Sequence, residues 1–164
     1  MEWWDLLDEQ GNKTGQTMLR GGYQPRGRYH LAVHVWAVDR EGRYLIQKRS
    51  ITVHSMPGKW AMTGGSVIAG EESLACAVRE TKEELGVSCT EQDFRFVKRI
   101  KKYFDFVDIY LIDRDLDDVE FHLQKEEVAE VRWVTQEELS AMIRSGEFHN
   151  YGAAYFELLF GTKR

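Results

Sequence analysis

Most of the residues that could do chemistry lie in one short segment near the middle of the chain. In order, this segment contains Gly65, Glu71 and the run Arg79-Glu80-Thr81-Lys82-Glu83-Glu84-Leu85-Gly86-Val87. On a helix with about 100° per residue, Glu80, Glu83 and Glu84 share one face. Three carboxylates this close repel one another, and Mg²⁺ or Mn²⁺ relieves the repulsion because hard cations take oxygen ligands. The spacing therefore predicts a divalent metal site.

Arg79 precedes Glu83 by four residues. At that separation its guanidinium can hold a carboxylate in one orientation. The alternative is an ordinary solvated helix face shared with Lys82, and the charged run by itself does not decide between the two interpretations.

The carboxylates can meet only if the segment is helical. Apolar and small side chains recur there at helical spacing, at Leu74, Ala77, Val78, Thr81 and Leu85. Gly86 follows at the position of a helix C-cap glycine. The pattern predicts a helix over residues 73–85, with the carboxylates beside its buried stripe.

The other elements predict an α/β fold in which helices pack against a mixed sheet. Two strand-like runs on either side of a turn-rich segment, residues 8–12, predict an N-terminal β-hairpin. The predicted strands are residues 3–7, 14–18, 30–38, 44–47, 94–103, 106–112 and 128–134. Further helices are predicted near residues 136–145 and 151–159.

Length and composition fit a single domain over residues 1–164, since 164 residues with 43% hydrophobic content can bury one sizeable core. The formal net charge of −5 gives no general attraction to nucleic acid or to an anionic membrane. No apolar run approaches the roughly 20 residues that span a bilayer. Only two cysteines are present, and the acidic, aromatic N-terminus is unlike a signal peptide, so the chain is expected to be cytoplasmic and free of disulfides.

The segment over residues 65–87 resembles the signature of the Nudix hydrolases, the Nudix box, at every defined position except one. Thr81 stands where the family has an aliphatic residue, and its methyl group can still pack between helix and sheet. The resemblance implies an α/β/α sandwich, with Arg79 orienting the carboxylates. The Mg²⁺ ligands that it implies are Glu80, Glu83, Glu84 and the backbone carbonyl of Gly65, and Mn²⁺ is expected to substitute.

Such a site supports hydrolysis of a diphosphate linkage by metal-activated water, because divalent cations acidify water and neutralise the leaving phosphate. Glu83 is the first choice as general base. Glu126 or Glu127 is the alternative, because residues 125–133 resemble family members in which an acid before this strand approaches the metals. Glu127 is then an additional metal ligand. A solvated strand entry is the other interpretation of this pair.

Outside the box, residues 4–12, 29–36, 45–50 and 57–60 resemble the Nudix subgroup related to isopentenyl diphosphate isomerase. Within these stretches, Arg49 and Lys59 are the candidates for phosphate contacts, although each could be a solvated surface residue. His30 and His34 point to the same face of a strand, where packing and hydrogen bonding are the more common role. The aromatic residues Trp36, Trp60, Tyr103, Phe104 and Phe106 could stack on a nucleobase, with core packing as the default.

Two rival functions follow from the same resemblance. An isomerase of this kind uses a Cys just after the Pro-Gly-x-Trp motif, and residues 61–70 contain none. Cys76, one turn before Glu80, is expected to be a packed residue. A domain that senses a nucleotide without cutting it is the second rival, and the complete set of box glutamates favours hydrolysis. The expected partner is a small-molecule diphosphate, by default a nucleoside diphosphate derivative, and a homodimer is left open together with the role of residues 148–164.

Overall fold

The computed structural model describes residues 1–164. Its strands are β1 Trp3–Leu7, β2 Lys13–Leu19, β3 His30–Ala37, β4 Tyr44–Arg49, β5 Trp60–Ala61, β6 Thr63–Ser66, β7 Phe94–Lys101, β8 Asp105–Ile112 and β9 Val128–Val134. Its helices are α1 Ser73–Leu85, α2 Gln136–Ser145 and α3 Ala153–Gly161, with a 3₁₀ turn at Glu91–Asp93. The predicted α/β class, mixed sheet and N-terminal hairpin are confirmed.

The N-terminal hairpin pairs β1 with β2 in antiparallel register, from Trp3 opposite Leu19 to Leu7 opposite Lys13. Asp8 closes its turn because its Oδ1 accepts the backbone N–H groups of Gln10 and Asn12, both at 2.9 Å. The turn is therefore built by local side-chain hydrogen bonds of the kind that Asp favours.

The strands after the hairpin form two sheets. A four-stranded sheet has the order β6-β3-β8-β7 and is mixed, because β3 runs parallel to β8 and antiparallel to β6. A three-stranded antiparallel sheet has the order β5-β4-β9. The short strands β5 and β6 are not among the predicted elements. The strands predicted to form one mixed sheet are divided between the four-stranded and the three-stranded sheet.

Helix α1 packs on β3 and β6. Its predicted buried stripe is confirmed: Ala77, Thr81 and Leu85 are buried, and Ala77 and Leu85 belong to a cluster that includes Val33 of β3. Thr81 also donates its hydroxyl to the Ala77 carbonyl at 2.7 Å, which satisfies its polar atom inside the core. Helix α1 is thus packed against the sheet that contains Gly65.

The opposite face of the mixed sheet is covered by α2 and α3. A second cluster unites Trp36 of β3 and Leu111 of β8 with Leu139 of α2 and Phe156 of α3. Alternation along β8 explains the two layers, since Tyr110 and Ile112 belong to the first cluster while Ile109 and Leu111 belong to the second. The C-terminal segment therefore packs on the sheet. None of the helices has the length and apolar character needed to cross a membrane.

Candidate active site

The glutamates predicted to hold metal line one cleft with a volume of about 320 Å³. Its walls come from β6, from α1 and from the loop that leads into β9. The charged lining residues are Glu2, Arg20, Arg49, Arg79, Glu80, Glu83, Glu84 and Glu127. Five carboxylates face three guanidinium groups, so the lining has a net negative charge that favours a bound cation.

Arg79 lies at the centre of the ionic contacts in this cleft. Its Nε and Nη2 donate to both carboxylate oxygens of Glu71 at 2.8 and 3.0 Å. Its Nη1 donates to Glu80 at 2.8 Å and to Glu83 at 3.3 Å. Burial opposes ionisation of Glu71, but the hydrogen bonds from Arg79 and the Ile68 N–H prevail and lower its pKa. The sequence analysis assigned no role to Glu71, although its position eight residues before Arg79 could have indicated this ion pair.

The missing side chain of Gly65 leaves the space in which the Glu80 carboxylate lies. A Cβ at this position would overlap Glu80 Oε1 and Cδ. Burial raises the pKa of Glu80 to about 7, even though Arg79 opposes the shift. The backbone of β6 thus forms a cradle for a poorly solvated carboxylate, and a cation bound there would stabilise the charged form.

The Glu84 side chain is more deeply buried than that of Glu80, and no charged group bonds to it. It is 7% exposed, and its carboxylate accepts a hydrogen bond from the Gln47 side-chain amide, whose own oxygen accepts the Thr63 hydroxyl at 2.8 Å. No Lys or Arg forms a salt bridge with Glu84, and burial raises its pKa to about 8. Gln47 and Thr63 are missed by sequence reasoning because they reach the site through strand packing rather than through a motif.

The donor set fits a hard divalent cation, since it consists of carboxylates beside the Gly65 backbone. No three side chains of the His, Cys, Asp and Glu types converge on one point. The contacts already described account for this: Arg79 draws Glu80 and Glu83 together, while Gln47 holds Glu84 apart. A bound cation would therefore redirect carboxylates that are already gathered in the cleft.

Main-chain hydrogen bonds bring Glu127 to the same cleft. The backbone N–H groups of His122 and Gln124 donate to the carbonyls of Leu85 and Glu84 at 2.9 and 3.2 Å. A Cβ at Gly86 would lie 2.6 Å from the His122 Cβ, so this close approach requires the glycine that also ends α1 at φ 69°. Both Glu126 and Glu127 are exposed, and of the two it is Glu127 that lines the cleft.

A second pocket of about 220 Å³ opens beside the cleft and shares Arg49 and the Gly64–Ser66 backbone with it. Its far end is lined by His30, Asp105 and Tyr151. Arg49 is held by its Nε, which donates to the Ser55 carbonyl at 2.7 Å. Arg49 therefore lies where the carboxylate-lined cleft meets a neighbouring pocket.

Other candidate residues are placed elsewhere. Lys59 lines neither the cleft nor the second pocket, and its Nζ donates to the Gly146 carbonyl at 3.0 Å. His34 is packed, as its pattern favours: its Nδ1 lies 2.8 Å from the Tyr155 hydroxyl, and burial lowers its pKa to about 3. Cys76 is fully buried among core residues, and burial raises the pKa of its thiol.

The aromatic candidates divide into two groups. Trp36, Trp60 and Phe106 are buried, as core packing predicts, but Tyr103 and Phe104 are exposed. The default of core packing is wrong for these two because they occupy the turn between β7 and β8, away from any packed face.

A Nudix domain model matches residues 28–154, and the chain therefore belongs to the Nudix family. Within that family it is a Nudix pyrophosphohydrolase, a class that hydrolyses diphosphate-containing small molecules and generally uses divalent cations. An uncharacterised Nudix hydrolase of Listeria monocytogenes is 41% identical over 166 residues, which cover 99% of this chain and 96% of that protein.

Two further comparisons define the range of the similarity. An isopentenyl-diphosphate Delta-isomerase of Streptomyces avermitilis is 40% identical over 85 residues, covering 51% of this chain and 43% of the isomerase. The crystal structure of DR0079 from Deinococcus radiodurans has a TM-score of 0.76 and 24% identity, and covers 99% of this chain and all of that one. This structural likeness concerns the fold, and the resemblance to the isomerase extends over only half of the chain.

Proposed function

We propose that the chain hydrolyses a nucleoside diphosphate derivative in a reaction that depends on a divalent cation, with Mg²⁺ as the ion and Mn²⁺ able to substitute. The observation that carries this proposal is the buried carboxylate of Glu84, which shares a cleft with Glu80, forms no salt bridge and keeps a raised pKa although Arg49 lines the same cleft. A charged group at low solvent exposure is costly unless a partner compensates it. A divalent cation is the partner that oxygen donors in this cleft would select.

Glu80, Glu83 and Glu84 would hold the ion, with Glu127 and the Gly65 carbonyl as further ligands. The ion would supply polarisation of water and neutralisation of charge on the leaving phosphate. Arg79 keeps the carboxylates in position through its bidentate contact with Glu71. Arg49 would bind the phosphate oxygens on the side of the second pocket. Lys59 stays a weaker candidate because it lies outside both lined spaces.

Glu83 is our choice for the general base. It is the box glutamate with the greatest exposure, with 49% of its side chain accessible, and its only hydrogen bond in the site is the longer one from Arg79. A carboxylate oxygen that faces solvent can accept a proton from the attacking water and pass it to the bulk. Glu127 is the alternative base, since it lines the same cleft from the opposite wall.

The first test measures the cleavage products of a panel of diphosphate compounds with Mg²⁺ or Mn²⁺, either free phosphate or two phosphomonoesters, for the wild type and for Glu83→Gln. The variant keeps the size of the side chain and removes its charge, and we expect at least about a hundredfold loss of kcat/KM. Glu137→Gln, an exposed glutamate of α2 outside the cleft, is the matched control and should behave as wild type. Chelation of the metal should abolish turnover in both the wild type and this control.

A different result would favour a different function. If no compound is cut while a nucleotide still binds, a nucleotide-sensing role replaces hydrolysis. An isomerase-like reaction would require conversion of isopentenyl diphosphate without phosphate release. Neither thiol of the chain lines the metal cleft, which is the observation against that reaction.

A further inference from the structure

A second space adjoins the metal cleft and shares no lining residue with the pocket that contains Tyr151. A groove of about 500 Å³ continues from the cleft along the N-terminal hairpin, and it shares Glu2, Arg79 and Glu83 with the cleft. Its other lining residues are Met1, Trp3, Ile68 and Ala69. The cleft that contains the box carboxylates therefore adjoins two separate spaces.

Trp3 is unusual among the tryptophans because 48% of its surface is exposed, while each of the others is buried or half-buried, and no aromatic ring stacks on it. Its neighbour Trp4 is engaged: the Trp4 ring stacks on His30 at 4.5 Å, and its Nε1 donates to Glu2 at 2.7 Å. A large apolar ring that the core does not use is informative when it borders a cleft.

The hairpin holds Trp3 in a fixed place beside the box. The backbone N–H of Ala69 donates to the Trp3 carbonyl at 2.7 Å, and the N–H of Gly70 donates to the Asp5 carboxylate at 2.8 Å. Within the hairpin, Trp3 pairs with Leu19. These bonds order the backbone under the indole ring, so a ligand that stacks there would not have to immobilise the loop.

The chemistry of the groove indicates what it would accept. Arg79 is its only cationic side chain, and Arg79 is already bonded to Glu71, Glu80 and Glu83, while Glu2 adds a further negative charge. The groove therefore offers no free cationic side chain to an additional phosphate group. The apolar surface of Trp3, Ile68 and Ala69 suits a planar ring instead.

We propose that Trp3 is a stacking platform for a ring attached to the second phosphate, so that the substrate carries an organic group at both ends of its diphosphate. This inference rests on the proposed function, because it takes the box glutamates as the place where the diphosphate lies. One end of the substrate then occupies the pocket beside Arg49, and the other lies in the groove along the hairpin. The substrate class is a dinucleotide-like diphosphate diester rather than a free nucleoside diphosphate.

The test compares binding of two ligands that cannot be cleaved, the methylene-bridged analogues of ADP and of diadenosine diphosphate, by calorimetry with Mg²⁺. For the wild type we expect tighter binding of the analogue with two rings. Trp3→Ala should weaken that analogue about tenfold more than the ADP analogue, since loss of one base–aromatic stack has an effect of this size. Trp3→Phe, which keeps an aromatic face, should restore most of the difference. Phe96→Ala removes a similarly exposed aromatic residue outside the groove, at 53% exposure, and should leave the ratio unchanged.

Three results would overturn the inference. The wild type could bind both analogues equally, it could bind neither, or Trp3→Ala could weaken both by the same factor, as a purely structural role of Trp3 would do. Hydrolysis of the natural diphosphates is measured separately. If binding shows the expected ratio but no compound is cut, the hydrolase proposal fails while the stacking platform stands.

Discussion

Two buried carboxylates in this chain have opposite surroundings. Asp108 of β8 is 2% exposed, and the Arg99 guanidinium binds both of its oxygens at 2.6 and 2.9 Å. Glu84 of α1 is 7% exposed, and its side-chain partner is the neutral amide of Gln47. Asp108 thus has a direct ionic partner within the protein, whereas Glu84 has no salt bridge and only the more distant charge of Arg49 to offset its burial.

This difference separates a structural ion pair from a functional site. Arg99 also donates to the Gly11 carbonyl at 3.1 Å, so its pair with Asp108 ties the hairpin turn to the mixed sheet. A buried charge that the protein neutralises needs nothing more, whereas one that it does not neutralise is a candidate for a bound ligand. The two carboxylates should therefore respond differently to mutation and to added metal.

Asp108→Asn should give the largest loss of stability. The substitution leaves the Arg99 guanidinium without its charged partner, and breaking a buried pair costs about 3–5 kcal/mol. Because Arg99 is 36% exposed, we expect the lower end of that range, about 3 kcal/mol. Urea unfolding measures the change. Activity per folded molecule should stay close to wild type, and a variant that is stable but inactive would break the distinction between the two carboxylates.

Gly65→Ala should have its main effect on activity. The added Cβ would occupy the place of the Glu80 carboxylate, and a displacement of about 1 Å in a catalytic group costs about a hundredfold in rate. Steady-state hydrolysis measures this loss. Gly161→Ala, which adds the same methyl group in open space, is the matched control. Equal activity of the two variants would show that Glu80 is not held by this cradle.

His34 provides a test on the structural side of the comparison. Its pKa is lowered to about 3 by burial, so it stays neutral in the folded protein while it is protonated below pH 6.5 in the unfolded chain. Stability is therefore lost as the pH falls below 6.5. Between pH 7 and pH 5 this single residue should remove about 2 kcal/mol.

Urea unfolding at the two pH values measures the effect. His34→Gln should reduce the loss by about 2 kcal/mol. The exposed His54, changed to Gln, is the control and should retain the wild-type pH dependence. Identical pH dependence of His34→Gln and wild type would mean that His34 is not held neutral.

The sequence predicted the bounds of elements well where neighbouring residues carried both the periodicity and the capping pattern. Helix α2 has the predicted bounds, and its Thr135 and Glu138 form a capping box in which each side chain accepts the other's backbone N–H. Strand β9 also has the predicted bounds. The sequence also predicted the box helix, with its C-cap Gly86 and its buried stripe, because periodicity and capping are properties of neighbouring residues.

Features that depend on long-range packing could not be predicted in the same way. Strand β6 contains Gly64 and Gly65, which disfavour strands, and it forms only because β3 pairs with it. A Cβ at Gly64 would overlap the Val33 carbonyl, so the residue that weakens the local signal is the one that permits the pairing. The hydrogen bond from Gln47 to Glu84 could not be predicted either, because 37 positions separate the two residues.

The smallest expected effect is also the most direct test of the unpaired carboxylate. A ligand that binds only the folded state stabilises it, and Mg²⁺ at ten times its Kd should add about 1.4 kcal/mol. For a chain of this length, Tm should rise by about 4 °C. Glu84→Gln should lose this rise because it removes a ligand charge, while Glu137→Gln should keep it. If Glu84→Gln gained the full increase in Tm, the ion would bind elsewhere, and the contrast between Glu84 and Asp108 would reflect packing alone.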